Sequence, residues 1–272
     1  MTRWRATAAA AGLACGLGVS NTAVPDSATS YWFVKQPDAP DSTEALPLVS
    51  VRAGVISPCD KSCLHAARKG AHIRSVRMDG GLWDDNRVTG LRRSDTKPSP
   101  EIVLAAPSKA ELFVNEGYRA HPVARAGTLG AEGLREMEAF VRPIDDLVID
   151  RSARMIGTVP PLPRRLTIFP FTVNGHESQY AVIAGPSLAI AAQNARRQWV
   201  LQHLEQATAP EGFYAEAFHL VAIVDMDGDG LPEIIAVKQM GESWWHLVLH
   251  YKADGESGGG WTVVATVPGS TV

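Results

Sequence analysis

The chain is short of three things, and each shortage narrows what it can be. It has little excess charge: 26 Lys and Arg stand against 29 Asp and Glu, a formal net charge of -3. That excludes the strongly basic footprint of a nucleic-acid-binding domain. Its apolar stretch Ala6 to Val19 is shorter than the roughly 20 residues a transmembrane helix needs. Recognisable catalytic signatures are also missing. The eight histidines form no H-E-x-x-H pair, no serine sits in a G-x-S-x-G elbow, and no phosphate-cradling or dinucleotide loop is present. What remains is ordinary globular composition, 45% hydrophobic and 20% charged over 272 residues, enough for one large or two small domains.

Only three cysteines occur, and their positions suggest an address. Arg3 and Arg5 precede the uncharged run Ala6 to Val19, which reads as a secretory signal peptide over residues 1–23, cleaved near Ser20 to Ala23. A short buried helix is the competing reading. Leu13-Ala14-Cys15-Gly16 resembles the end of a bacterial lipoprotein signal, making Cys15 a lipidation candidate, although Gly12 stands where that motif usually has Leu. A lipid would anchor the protein without adding a membrane-spanning helix. Removing Cys15 leaves Cys59 and Cys63 as an even pair. Four residues apart in a helical turn, they lie within disulfide reach and predict a local staple in an oxidising compartment. Zinc held by Cys59, Cys63, His65 and His72 is the alternative, with spacing unlike the usual fingers.

The pattern along the chain predicts an α+β fold, β-rich towards the C-terminus. Residues 24–47 read as a flexible linker that docks through Tyr31, Trp32 and Phe33. Residues 48–98 read as a small β-rich subdomain carrying Cys59 and Cys63, closed by the charged loop Arg92 to Pro100. Residues 99–272 read as an α+β domain. Within it, Ala131 to Val141 has amphipathic helical spacing, with Leu134, Met137 and Val141 on one face. Arg165 to Val173 and Ser178 to Ala184 flank Asn174-Gly175, the strongest short hairpin signal. The stripe Leu188, Ala192, Ala195, Trp199 predicts one long amphipathic helix to Gln206, capped by Ser187 and packed on the sheet. Phe218 to Val224, Glu233 to Gln239, Trp244 to Tyr251 and Trp261 to Val267 predict a four-stranded antiparallel meander.

Chemistry concentrates between the first two strands of that meander, in Asp225-Met226-Asp227-Gly228-Asp229-Gly230-Leu231-Pro232-Glu233. Alternate carboxylates joined by glycines converge on one hard cation, and calcium takes six to eight oxygens from such loops. The expected ligands are the side chains of Asp225, Asp227 and Asp229, the Leu231 carbonyl, and Glu233 directly or through water. An EF-hand would need an acid at the twelfth position, which is Ala236, and helical flanks, whereas these flanks are β-rich. The segment resembles the calcium loop of FG-GAP/VCBS-type repeats, D-x-D-G-D-G-x-x-[DE]. That resemblance implies a four-stranded propeller blade over about Phe218 to Val267. The chain has no second D-x-D-G-D-G, so the resemblance extends to one blade and not to a whole propeller.

These features predict an exported calcium-binding protein, periplasmic, extracellular or lipid-anchored, with Ca2+ stabilising a hairpin loop. Its partner would be an envelope or extracellular protein or glycan, not nucleic acid, and it would touch a membrane only through an N-terminal lipid. A competing reading is a glycan or peptide hydrolase using acids among Asp84, Asp85, Asp145, Asp146 and Asp150, with calcium as support. A third is a carbohydrate-binding module stacking sugars on Trp244, Trp245 or Trp261, which requires a solvent-facing ring beside the loop.

Overall fold

Strands dominate the computed structural model, which describes residues 29–36, 39, 41–95, 97, 99–120, 124–156, 167–173, 178–206, 217–240, 243–252 and 260–270. The first part runs β1 (Ser30–Val34), β2 (Glu44–Arg52), β3 (Val55–Pro58), α1 (Lys61–Ala66), β4 (His72–Val76), β5 (Leu82–Arg92), β6 (Glu101–Leu104) and β7 (Leu112–Asn115). Six of these strands, in the order β1, β7, β4, β5, β6, β2, close into an antiparallel barrel because β2 also pairs with β1; β3 hangs from β2. Tyr31, Trp32 and Phe33 therefore belong to a barrel stave. The strands on either side of the boundary expected near residue 98, β5 and β6, pair within the same barrel.

Between β3 and β4 the Asp60 side chain caps α1 by accepting from Ser62 N at 2.7 Å. The turn brings Cys59 and Cys63 into a disulfide, with Cα atoms 5.8 Å apart. Such a bond fits an oxidising compartment. The N-terminal segment containing the expected signal peptide and Cys15 lies outside the described residues. No helix among the described residues is long and apolar enough to cross a membrane.

Two further antiparallel sheets follow. The first contains β8 (Ala124–Ala126), then, after α2 (Ala131–Ile156), β9 (Thr167–Val173), β10 (Gln179–Ala184), β11 (Ser187–Gln193) and β12 (Trp199–Gln206). The second is β13 (Ala217–Val224), β14 (Glu233–Met240), β15 (Ser243–Lys252) and β16 (Gly260–Ser270), paired in sequence order. β9 and β10 pair across the segment containing Asn174-Gly175, which itself lies outside the described residues. Pro170 directs its carbonyl towards Gly127 N at 2.7 Å, on the β8 side. Its missing N–H therefore costs nothing in the ladder with β10.

The α+β expectation gives way to a mostly β architecture, and the long helix expected from Leu188 to Gln206 is instead the hairpin β11–β12. Asn194 makes the reversal: its side-chain oxygen accepts from Arg196 N at 2.9 Å and Gln198 N at 3.0 Å, while Arg197 takes φ 59°. Ser187 is a strand residue and caps no helix. The misreading has a physical cause. β11 is buried on both faces, Leu188, Ile190 and Ala192 packing towards the C-terminal sheet and Ala189 and Ala191 towards Met137 and Val141 of α2. A doubly buried strand has no polar alternation, and a run rich in alanine then matches a helical stripe just as well.

The C-terminal sheet is the middle layer. One face, with Leu220, Ile223, Ile234, Ala236, Leu247 and Leu249, packs on β9–β11. The other, with Val221, Val224, Ile235, Val237, Trp244 and Val248, packs on the outside of the barrel against Trp32, Val34, Leu46, Leu48, Leu112 and Val114. The barrel keeps a separate interior built on Phe33, Ile73, Val88, Ile102 and Phe113. Alternate residues of β1 and β7 thus serve two cores, which is why both strands read as unbroken apolar runs.

Candidate metal centre

The acidic loop connects β13 to β14 at the edge of the seam between the barrel and the C-terminal sheet. Gly228 and Gly230 hold φ of 80° and 88°, which side chains rarely tolerate, and this lets the chain reverse within a few residues. Asp225, 1% exposed, folds the loop around itself: Oδ1 accepts from Gly228 N at 2.6 Å and Oδ2 from Gly230 N at 3.2 Å. Asp227 Oδ1 accepts from Asp229 N at 3.2 Å, and Asp229 Oδ1 accepts from Leu231 N at 2.7 Å. These side-chain turns favour the tight connection. They also bring Asp225, Asp227 and Asp229 together, with one oxygen of each within 4.8 Å of the others. Leu231 is half-buried and packs its side chain against the core between the two sheets.

Glu233 begins β14 and is fully buried. Its Oε2 accepts from Met226 N at 2.6 Å, tying the start of the loop to its end. Its Oε1 lies 2.6 Å from Nδ1 of His250. A second group of potential ligand atoms, Asp227, Glu233 and His250, also falls within 4.8 Å. Four residues apart on one face of a strand, His246 and His250 read from the sequence as surface or core residues and not as ligands, yet the fold sets His250 against Glu233. It sits directly opposite Glu233 because Met240 pairs with Ser243, and seven residues back and forward from that turn the register brings the two together. The two-residue connection Gly241-Glu242 between β-rich runs was the signal that could have found it.

Burial dominates the electrostatics. It pushes the Asp227 carboxyl up to about 6, with Asp229 and Asp225 adding repulsion and the backbone hydrogen bond from Asp229 opposing it. Burial likewise pushes Glu233 up to about 8, against the pull of the His250 hydrogen bond. His250 is raised, first by its hydrogen bond to Glu233. Among the groups that shift Asp227 and Glu233, the imidazole is the one cationic side chain. Carboxylates gathered and desolvated in this way ionise readily only when positive charge is supplied. The residue types and spacing can hold a metal ion.

The other candidates are dispersed. Asp84 and Asp85 are adjacent on β5, hence on opposite faces, and both are exposed; Asp85 lies 3.7 Å from Arg74. Asp145, Asp146 and Asp150 fall on α2, and their side chains lie outside the described residues. Trp244 and Trp261 are 7% and 4% exposed, so both rings are core. Trp245 is half-buried. His65 lies exposed on α1 and His72 begins β4, while the disulfide takes both sulfurs that a zinc site would need. No protein family, curated protein or solved structure matches the chain.

Proposed function

We propose that this is an exported calcium-binding protein, periplasmic or extracellular and held by a lipid if Cys15 is acylated, in which the cation closes the β13–β14 connection and the role is binding and not catalysis. The carrying observation is the convergence of Asp225, Asp227 and Asp229 on one point, with Glu233 buried at the far end of the same loop. Oxygen donors on a loop of irregular geometry suit calcium better than smaller or softer ions. The disulfide supports a compartment in which calcium is plentiful. The partner class remains an envelope or extracellular protein or glycan.

The test is the melting temperature in 1 mM free calcium and in chelator, for wild type and Asp227→Ala. For a Kd near 0.1 mM, a value ordinary for extracellular modules, linkage predicts about 1.4 kcal/mol, or a few degrees. A calcium-dependent shift that disappears in the variant supports the reading. Identical melting in calcium and chelator for wild type refutes it.

A further inference from the structure

Three contacts from the barrel land on three consecutive residues, Ile223 to Asp225, where the acidic loop begins. Ile223 N donates to the carbonyl of Met78, in the β4–β5 turn, at 2.7 Å. Gly80 of the same turn, at φ +79°, lies so close that a Cβ there would meet Ile223 O and Val224 Cα at 3.3 Å. Tyr118, just after β7, donates its hydroxyl to the carbonyl of Asp225 at 2.8 Å, and its ring packs edge-on against Trp32 with centroids 4.6 Å apart. Met226, next in the chain, is 2% exposed and belongs to the core shared by barrel and sheet. Ligand and interface positions therefore alternate: the Asp225 and Asp227 side chains face the candidate site, while the Asp225 carbonyl and the Met226 side chain belong to the seam.

We infer that the cation is a latch between the two halves of the molecule: filling the Asp225–Glu233 loop docks the β4–β5 turn and Tyr118 of the barrel onto the C-terminal sheet, and emptying it loosens that docking. This rests on the calcium reading above. The physical step is short. A cation that draws the Asp225, Asp227 and Asp229 carboxylates together fixes the peptide units between them, including the carbonyl that Tyr118 binds and the backbone that carries Met226 into the seam. Without it, like charges a few ångströms apart push those same peptide units away from one arrangement. The rest of the seam offers no other group of three potential ligands among the described residues, so the effect is confined to this edge. Linkage makes the coupling reciprocal, since whatever calcium does for docking, docking does for calcium affinity.

The experiment is hydrogen exchange on the full chain with and without 1 mM calcium, alongside calorimetric titration of calcium into wild type and Tyr118→Phe. Calcium is expected to slow exchange about tenfold in Ile223 to Glu233 and also in the barrel segments Arg77 to Leu82 and Asn115 to Ala120, while Val88 to Leu104 changes least. Tyr118→Phe keeps the ring and removes the bond to Asp225, and its calcium affinity should fall about three- to tenfold. Slowed exchange confined to Ile223 to Glu233, or unchanged affinity in Tyr118→Phe, overturns the latch while leaving calcium binding intact. No heat of binding and no change in exchange in wild type overturns the calcium reading itself, and the latch with it.

Discussion

β15 carries two histidines to opposite ends of the seam between barrel and sheet, and the two ends resolve burial in opposite ways. At one end His246, 1% exposed, packs edge-on against Trp244 with centroids 5.1 Å apart, while Lys97 lies over the same indole at 4.9 Å. The His246 ring hydrogen-bonds the Lys35 backbone, and its Nε2 has no partner among the described residues. Burial pushes this imidazole down to about 3. Four residues on, His250 is also withdrawn from solvent, yet the Glu233 carboxylate raises it. The same strand thus gives a neutral ring where burial is complete and no acid faces it, and a cationic tendency where burial is partial and an acid does. The apolar end is closed by ring packing with His246 Nε2 left unpaired among the described residues, whereas the polar end sets four carboxylates against one imidazole in a group that can hold a cation.

The largest effect should come from attacking the polar end. Asp225→Ala removes a candidate ligand and breaks the hydrogen bonds that the exposed Gly228 and Gly230 N–H groups make to its carboxylate, each contributing about 1 kcal/mol. Urea denaturation should show a loss of about 3.4 kcal/mol in 1 mM calcium and about 2 kcal/mol in chelator, the difference being the forfeited linkage of about 1.4 kcal/mol. Equal losses in both would erase the distinction between the ends. The matching attack on the apolar end is Gly269→Ala. A Cβ there would lie 1.7 Å from Cζ3 of Trp244, a ring already confined by Lys97 and His246. Overpacking of this kind costs about 2 kcal/mol, and the loss should be the same with and without calcium.

How much of this was legible beforehand depends on the range over which each feature is encoded. Leu220 to Val224 and Ile234 to Val237 are buried on both faces, and their β-branched residues still marked them as strands. Leu188 to Ala192 occupies the same kind of environment but is built with alanine, because Met137 and Val141 of α2 press on one face, and it read as helix. Closure of the barrel rests on β1 pairing with both β2 and β7, strands separated by most of the first hundred residues, and no local pattern announces it. The site divides in the same way. Asp225 to Glu233 stood out as one run because its ligands are consecutive, whereas His250 required the strand register. Tyr118, 107 residues from the carbonyl it binds, required the packed tertiary structure.

The smallest effect, and the sharpest test of the two-histidine comparison, is the acid limb of stability. His246 in the folded protein takes up a proton only near pH 3, while in the unfolded chain it does so near the ordinary value of 6.5. Between those limits the unfolded state binds the extra proton, so stability rises with pH there and is lost as pH falls; above 6.5 the ring is neutral in both states and contributes no slope. Replacing it by Gln, which keeps a donor for the Lys35 carbonyl, removes this titration while leaving the other groups in place. Moving from pH 6.5 to 5.5 should therefore cost wild type about 1 kcal/mol more than His246→Gln, read as the difference in urea midpoint times m at each pH. The comparison belongs in chelator, so that proton competition at the acidic loop does not enter. Parallel losses in the two proteins would mean that His246 is protonated in the fold, and that the seam tolerates charge at both ends.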